Sequence, residues 1–169
     1  MSGRRLTLAF AALVLSTVLT SGDAAVVKDT NGQDNNRELV ARAFDAWRDG
    51  TGSPYDLLAD DAQWTITGNS QAAKTYSSRE AFLSEVIRPF NARMRTRLVP
   101  AVRKLYVDGT TVIAFFDASG IARDGVNYSN AYAWFLEMQS GKIVRAHAFF
   151  FDSIAFDSFW KRVTPTPSN

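Results

Sequence analysis

The chain's single histidine, His147, stands in the stretch KIVRAHAFFFD at residues 142–152, and imidazole is the side chain whose unperturbed pKa lies nearest neutrality. Upstream, Asp117 closes the apolar run Phe115-Phe116-Asp117, where desolvation would raise a carboxyl pKa toward that of a usable base. The pair could move a proton on a bound molecule, with Asp117 as the acid-base group and His147 assisting. Each also has a plainer reading. Asp117 can cap the Ser119-Gly120 turn, and a lone histidine without a second His or any Cys has no partners for a metal site.

Positioning these groups falls to strands. In Tyr128–Met138 the even positions, among them Tyr128, Asn130, Tyr132 and Trp134, share one face, and the odd positions share the other. The even face carries the larger side chains and is expected to line a concavity. Asn130 and Tyr132 then project into an apolar pocket and can orient a carbonyl or hydroxyl, with Trp64 and Trp134 as walls. The alternative is that Asn130 or Tyr128 bonds across the strands. For His147 the face depends on register. One β-bulge decides it, expected here only from the family resemblance given below, whose members carry two aromatics where this chain has Phe149 to Phe151. A bulge after His147 turns Ala146 and Ala148 inward and His147 outward; a bulge before it turns His147 inward, toward Asp117 or Tyr132.

The remaining elements follow from periodicity. Leu39, Val40, Ala43, Phe44 and Trp47 recur at helical spacing and predict a helix over 37–47, ended at Gly50. Ser53-Pro54 starts a short second helix through Leu58. Gln63–Thr67 alternates as a strand, and Ser77 or Ser78 caps a third helix running through Phe90, with a bend at Arg88-Pro89. Leu98–Val107, Thr110–Ala118, Tyr128–Met138 and Lys142–Phe151 read as four antiparallel strands, with turns at Asp108-Gly109, Arg123-Asp124-Gly125 and Ser140-Gly141. The expectation is an α+β fold, three helices against one face of a curved antiparallel sheet.

A length of 169 residues with 46% hydrophobic and 12% aromatic content suits one domain. The net charge of +2 comes from scattered arginines, and no run of like charge marks a nucleic-acid partner. Alternate arginines at 93, 95, 97 and 103 read as a solvated face. There is no Gly-rich nucleotide loop, so no cofactor and no metal is expected. Residues 1–24, two arginines and then an apolar run too short to span a bilayer, read as a secretory signal, with mature protein starting near Ala25. Residues 25–35 read as a flexible linker, 36–163 as the folded domain and 164–169 as a disordered tail. With no cysteine, the product is expected to be periplasmic or secreted, not membrane-bound after signal removal.

The order of elements, with LLADDAQWTITG early and NYSNAYAWFLEMQSGKIVRAHAFFFD late, resembles the nuclear transport factor 2-like superfamily, in particular its SnoaL-like, ketosteroid-isomerase-related branch. The resemblance covers about residues 36–163. It implies a cone whose curved sheet and three covering helices enclose an apolar pocket for a small ligand, and it leaves open a homodimer through the convex sheet face. It does not carry an activity. The isomerase base position falls at Ile66, its tyrosine at Ala43 and its acid near Ala133 or Trp134, none able to move a proton. The epoxide-hydrolase positions read Phe115 and Asp117, with Ala148 or Phe149 opposite. The cyclase pattern wants an Asp just after a His on the last strand, where Ala148 and Phe149 follow His147. Isomerase, cyclase or hydrolase chemistry with an incomplete set, or a non-catalytic binding or dimerisation module, are the functions implied.

Overall fold

The computed structural model describes residues 30–165; the segment read as a signal, its cleavage point and residues 166–169 lie outside them. Helix α1, Thr30–Asp49, buries Val40 and Phe44 on one face. It begins inside the segment expected to be a linker, which corrects that expectation for residues 30–35. Its end is set by Gly50 at φ +76, with Gly50 N donating to Trp47 O and Thr51 N to Ala46 O. This is a Schellman closure, which needs the left-handed residue that glycine supplies.

A 3-10 turn, Pro54–Leu57, replaces the expected second helix and leads into β1, Leu58–Thr67. A two-residue strand β2, Thr75–Tyr76, pairs with β1. Ser78 then caps α2, Arg79–Phe82, by accepting from Ala81 N. The helix continues through a π turn, Leu83–Ile87, into α3, Arg88–Ala92. Pro89 explains the π turn: it has no N–H for the carbonyl of Glu85 and its ring crowds that carbonyl, so the preceding turn widens and Arg88 N reaches back to Leu83 O.

Strands β3 (Val99–Asp108), β4 (Thr111–Ile121), β5 (Asn127–Gln139) and β6 (Lys142–Phe150) form the expected meander. The sheet order is β2-β1-β6-β5-β4-β3, and β1 joins β6 in parallel within the otherwise antiparallel sheet. Ser140 and Gly141, both at positive φ, make the tight β5–β6 hairpin. A further helix, α4 (Ser153–Arg162), follows β6 and is capped by Asp152, which accepts from Ala155 N. The sequence reading did not anticipate it.

Alternation is strict in β4 and β5. Val112, Ala114, Phe116 and Ala118 are buried on one face, and so are Tyr128, Tyr132, Trp134 and Leu136. The helices pack on that face, with Phe44 of α1 set edge-on to Phe116 at 4.8 Å and Phe159 of α4 4.7 Å from Tyr128. The result is the expected α+β cone, its core on the helix side of the sheet.

Candidate functional site

A cavity of about 580 Å³ opens between the sheet and the helices. Its walls are aromatic. Trp47 from α1 stacks on Trp134 of β5 at 5.9 Å, Trp134 meets Trp64 of β1 edge-on at 5.0 Å, and Trp64 stacks on Phe82 of α2 at 4.4 Å. Tyr55, from the 3-10 turn, stands among them, 5.7 Å from both Phe82 and Trp134. Leu83, Val86 and Ile87 of the π turn also line the space, and such widened turns recur at functional sites. The indole N–H groups of Trp64 and Trp134 are sealed within this packing without hydrogen-bond partners among the described residues.

Two of the polar groups on the lining are phenols. Tyr132, on the cavity wall, shares a 2.9 Å hydrogen bond with Tyr128 behind it. Burial pushes the Tyr132 hydroxyl well above the usual phenol range, and the neighbouring Tyr128 adds to that. Tyr55 is pushed up too, by burial first and by Tyr128 second; it makes no hydrogen bond with any described residue. Both hydroxyls therefore stay protonated; that of Tyr55 is open to donate to an acceptor oxygen, and that of Tyr132 can do so when Tyr128 supplies the proton of their shared bond. The carboxylate on the lining is Asp56, whose Oδ2 accepts from Ser53 N at 2.7 Å. Among the described residues the cavity thus has donors to orient and polarise an oxygen, and no imidazole.

Trp64, Tyr132 and Trp134 all line this cavity. Asn130 is buried on the same strand face, yet its amide is committed elsewhere: Nδ2 donates to Asp152 O (2.7 Å), Oδ1 accepts from Asp152 N (3.0 Å), and Nδ2 also reaches Tyr128 Oη at 3.5 Å. It pins the start of α4 and does not line the cavity, which corrects its expected role as a ligand contact.

Asp117 also departs from expectation. Because Phe116 and Ala118 are packed inward, Asp117 points to the outer, convex face, where Arg103 Nε and Nη2 donate to its two oxygens at 2.5 and 2.7 Å. His147 lies on that outer face as well, opposite Thr65 and Phe135. The sheet irregularity falls before His147: Met138 pairs with Ile143 and Glu137 with Arg145, leaving Val144 as the extra residue. Ile143 is buried ahead of this bulge and Ala146 and Ala148 after it, so a bulge before the histidine turns it outward, opposite to the expectation. Asp117 faces Ala131 and His147 faces Phe135 across β5. Those partners are four residues apart, about 13 Å along a strand, too far for a coupled pair.

Sequence reasoning missed Trp47, Tyr55 and Phe82 as wall residues. Trp47 was legible in the α1 stripe, and Tyr55 next to a Pro-initiated turn was the available signal for the second. The expected solvated arginine face holds at Arg95, Arg97 and Arg103, which are exposed, and fails at Arg93, which is half-buried. Arg93 lies over the Trp160 ring at 4.2 Å. Arg95 and Arg97 border the cavity, on a segment held to β4 by Arg95 N and Thr96 N donating to Ile121 O. That close approach requires Gly120, where a Cβ would come within 2.8 Å of Arg97 O.

No curated protein matches the chain significantly. Solved structures with the same fold include Bal32a from a soil-derived mobile gene cassette, 21% identical with a TM-score of 0.62, covering 77% of this chain and 99% of that one. TerC, co-crystallised with polyporic acid, is 17% identical with a TM-score of 0.60, covering 75% of this chain and 98% of that one. A putative SnoaL-like polyketide cyclase from Jannaschia sp. CCS1 is 16% identical with a TM-score of 0.58, covering 80% of this chain and 95% of that one. At these identities the likeness extends to the fold. The sequence model of the SnoaL-like domain matches residues 40–146, and with the cone and its aromatic cavity in place, the chain belongs to the SnoaL-like domain family.

Proposed function

We propose that this protein binds a small, largely apolar molecule in its cone cavity and holds it without transforming it. The observation that carries the reading is the cavity lining: Trp47, Trp64, Phe82 and Trp134 around the partnerless Tyr55 hydroxyl, with Tyr132 beside it. A flat ring system fills such a space by stacking, and an oxygen on it accepts from the phenols. The co-crystallisation of TerC with polyporic acid supports the same use of the fold here. Acid-base catalysis is the weaker alternative, because Asp117 and His147 lie on the other face of the sheet and Asp56, the carboxylate on the lining, is engaged by Ser53 N.

Titrating tryptophan fluorescence with a library of polycyclic and terpenoid-sized compounds tests the reading. Saturable quenching or a blue shift by at least one class supports it; a folded protein that responds to none rejects it. Export rests on residues 1–24 and is tested by intact mass, which would show a mature start near Ala25. Pairing of two copies through the outer sheet face is also proposed, on the exposure there of Tyr106, Phe135 and Phe149; sedimentation equilibrium would show a dimer mass.

A further inference from the structure

We propose that the ligand is an organic acid, its apolar body in the aromatic chamber and its carboxylate held by Arg79; this rests on the ligand-binding reading above. Arg79 opens α2 one turn before Phe82 and lines the same cavity. Its Nε is shut off from solvent and has no hydrogen-bond partner among the described residues. The carboxylate within reach is Asp60, 3.8 Å from Nη1, and that side chain is fully exposed, so the pair is screened by water. Other nearby acids are engaged. Glu80 accepts from both Nη atoms of Arg88, and Asp56 accepts from Ser53 N.

A guanidinium is a planar fork of donors matched to a carboxylate, and this half-buried one has only the screened, long pair with Asp60, so a carboxylate in the cavity would supply the close acceptor its geometry suits. The rest of the lining has the same sign. Arg95 makes no side-chain bond with a described residue, and Arg97 uses Nη1 on Trp47 O at 2.6 Å and also interacts with the exposed Asp49 carboxylate. Three arginines against one committed carboxylate bias the cavity toward an anion. Arg95 and Arg97 are exposed and screened by water, whereas the apolar rings beside half-buried Arg79 lower the local dielectric and strengthen its attraction.

The test compares 9-anthracenecarboxylic acid with its methyl ester, identical in body and differing in charge, by tryptophan quenching at low ionic strength. The acid is expected to bind at least ten-fold tighter than the ester. Arg79→Gln should bring the two within two-fold by weakening the acid alone, and Arg79→Lys should restore part of the gap because it keeps the charge and loses the fork. The acid's advantage should shrink with added salt in the wild-type protein, which keeps the test independent of whether the variants fold. Equal binding of acid and ester, or a gap that survives Arg79→Gln in a folded variant, overturns the inference and leaves the ligand-binding reading standing. If neither binds, and the wider library also fails, both fall.

Discussion

Ile143 and Ala146 stand three residues apart on one strand and point to the same side of the sheet. The bulge at Val144 reverses the alternation between them, and it sends His147 to the outer face. A cavity ligand therefore meets neither the histidine nor Asp117. His147→Ala and Asp117→Asn are each expected to leave cavity affinity within two-fold of wild type, with independent, additive effects on stability. Urea denaturation and ligand titration of the two single variants and the double variant measure both quantities. Non-additive losses of affinity would contradict the placement.

Tyr55→Phe removes a hydroxyl that makes no hydrogen bond with any described residue. Stability should stay within about 0.5 kcal/mol of wild type, since no internal hydrogen bond is lost. Affinity for a ligand with an acceptor oxygen should drop by about 1 kcal/mol, roughly five-fold, while an all-hydrocarbon analogue binds unchanged. Isothermal titration with such a matched pair separates the hydroxyl's role from that of the ring.

Asn130→Ala should be costly in a different way. The side chain closes a two-way bond with the backbone of Asp152, and its loss leaves a partly buried N–H and C=O unpaired. A destabilisation of about 1–3 kcal/mol is expected, seen as a lower urea midpoint, together with faster amide exchange in α4, whose N-cap is Asp152. Stability unchanged by the substitution would remove Asn130 from this structural role.

Alkaline pH offers a further check. Tyr55, Tyr128 and Tyr132 are pushed up by burial, and Tyr76 is pushed up to about 12. A group whose pKa is higher folded than unfolded contributes stability below the unfolded value and loses it as pH rises through the folded one. The contribution of these phenols should be intact up to about pH 9.5 and decline above about pH 10, where the unfolded chain releases phenolic protons first. Urea midpoints between pH 8 and 11 report the bend. Ligand affinity should show no tyrosine titration between pH 6 and 9.

Much of the fold was readable because burial on one sheet face writes a two-residue alternation into β4 and β5, and Gly50, Gly109 and Gly141 mark turns with positive φ. Tyr132 and Trp134 fall on the cavity wall by the alternation of β5, and Trp64 by the alternation of β1. What escaped depended on contacts remote in sequence. Asp117 reads as a candidate base until Arg103 is brought beside it on β3. Asn130 reads as a ligand contact until α4 returns its N-cap residue to it. The π turn was hinted at by Pro89 as a bend, but its register needs the backbone. The sign of the bulge at Val144 could not be had from the phenylalanine run, because the core position of Ile143 decides it.

The most direct measurement follows the indole N–H resonances of the four tryptophans in a ¹⁵N-labelled sample as an apolar ligand is added. Trp47, Trp64 and Trp134 line the cavity, whereas Trp160 lies on α4 under Arg93 and outside the lining. Saturable shifts of the first three, with Trp160 unmoved, are the predicted result. A ligand that binds while those three resonances stay in place, or that moves Trp160 alone, would contradict the account.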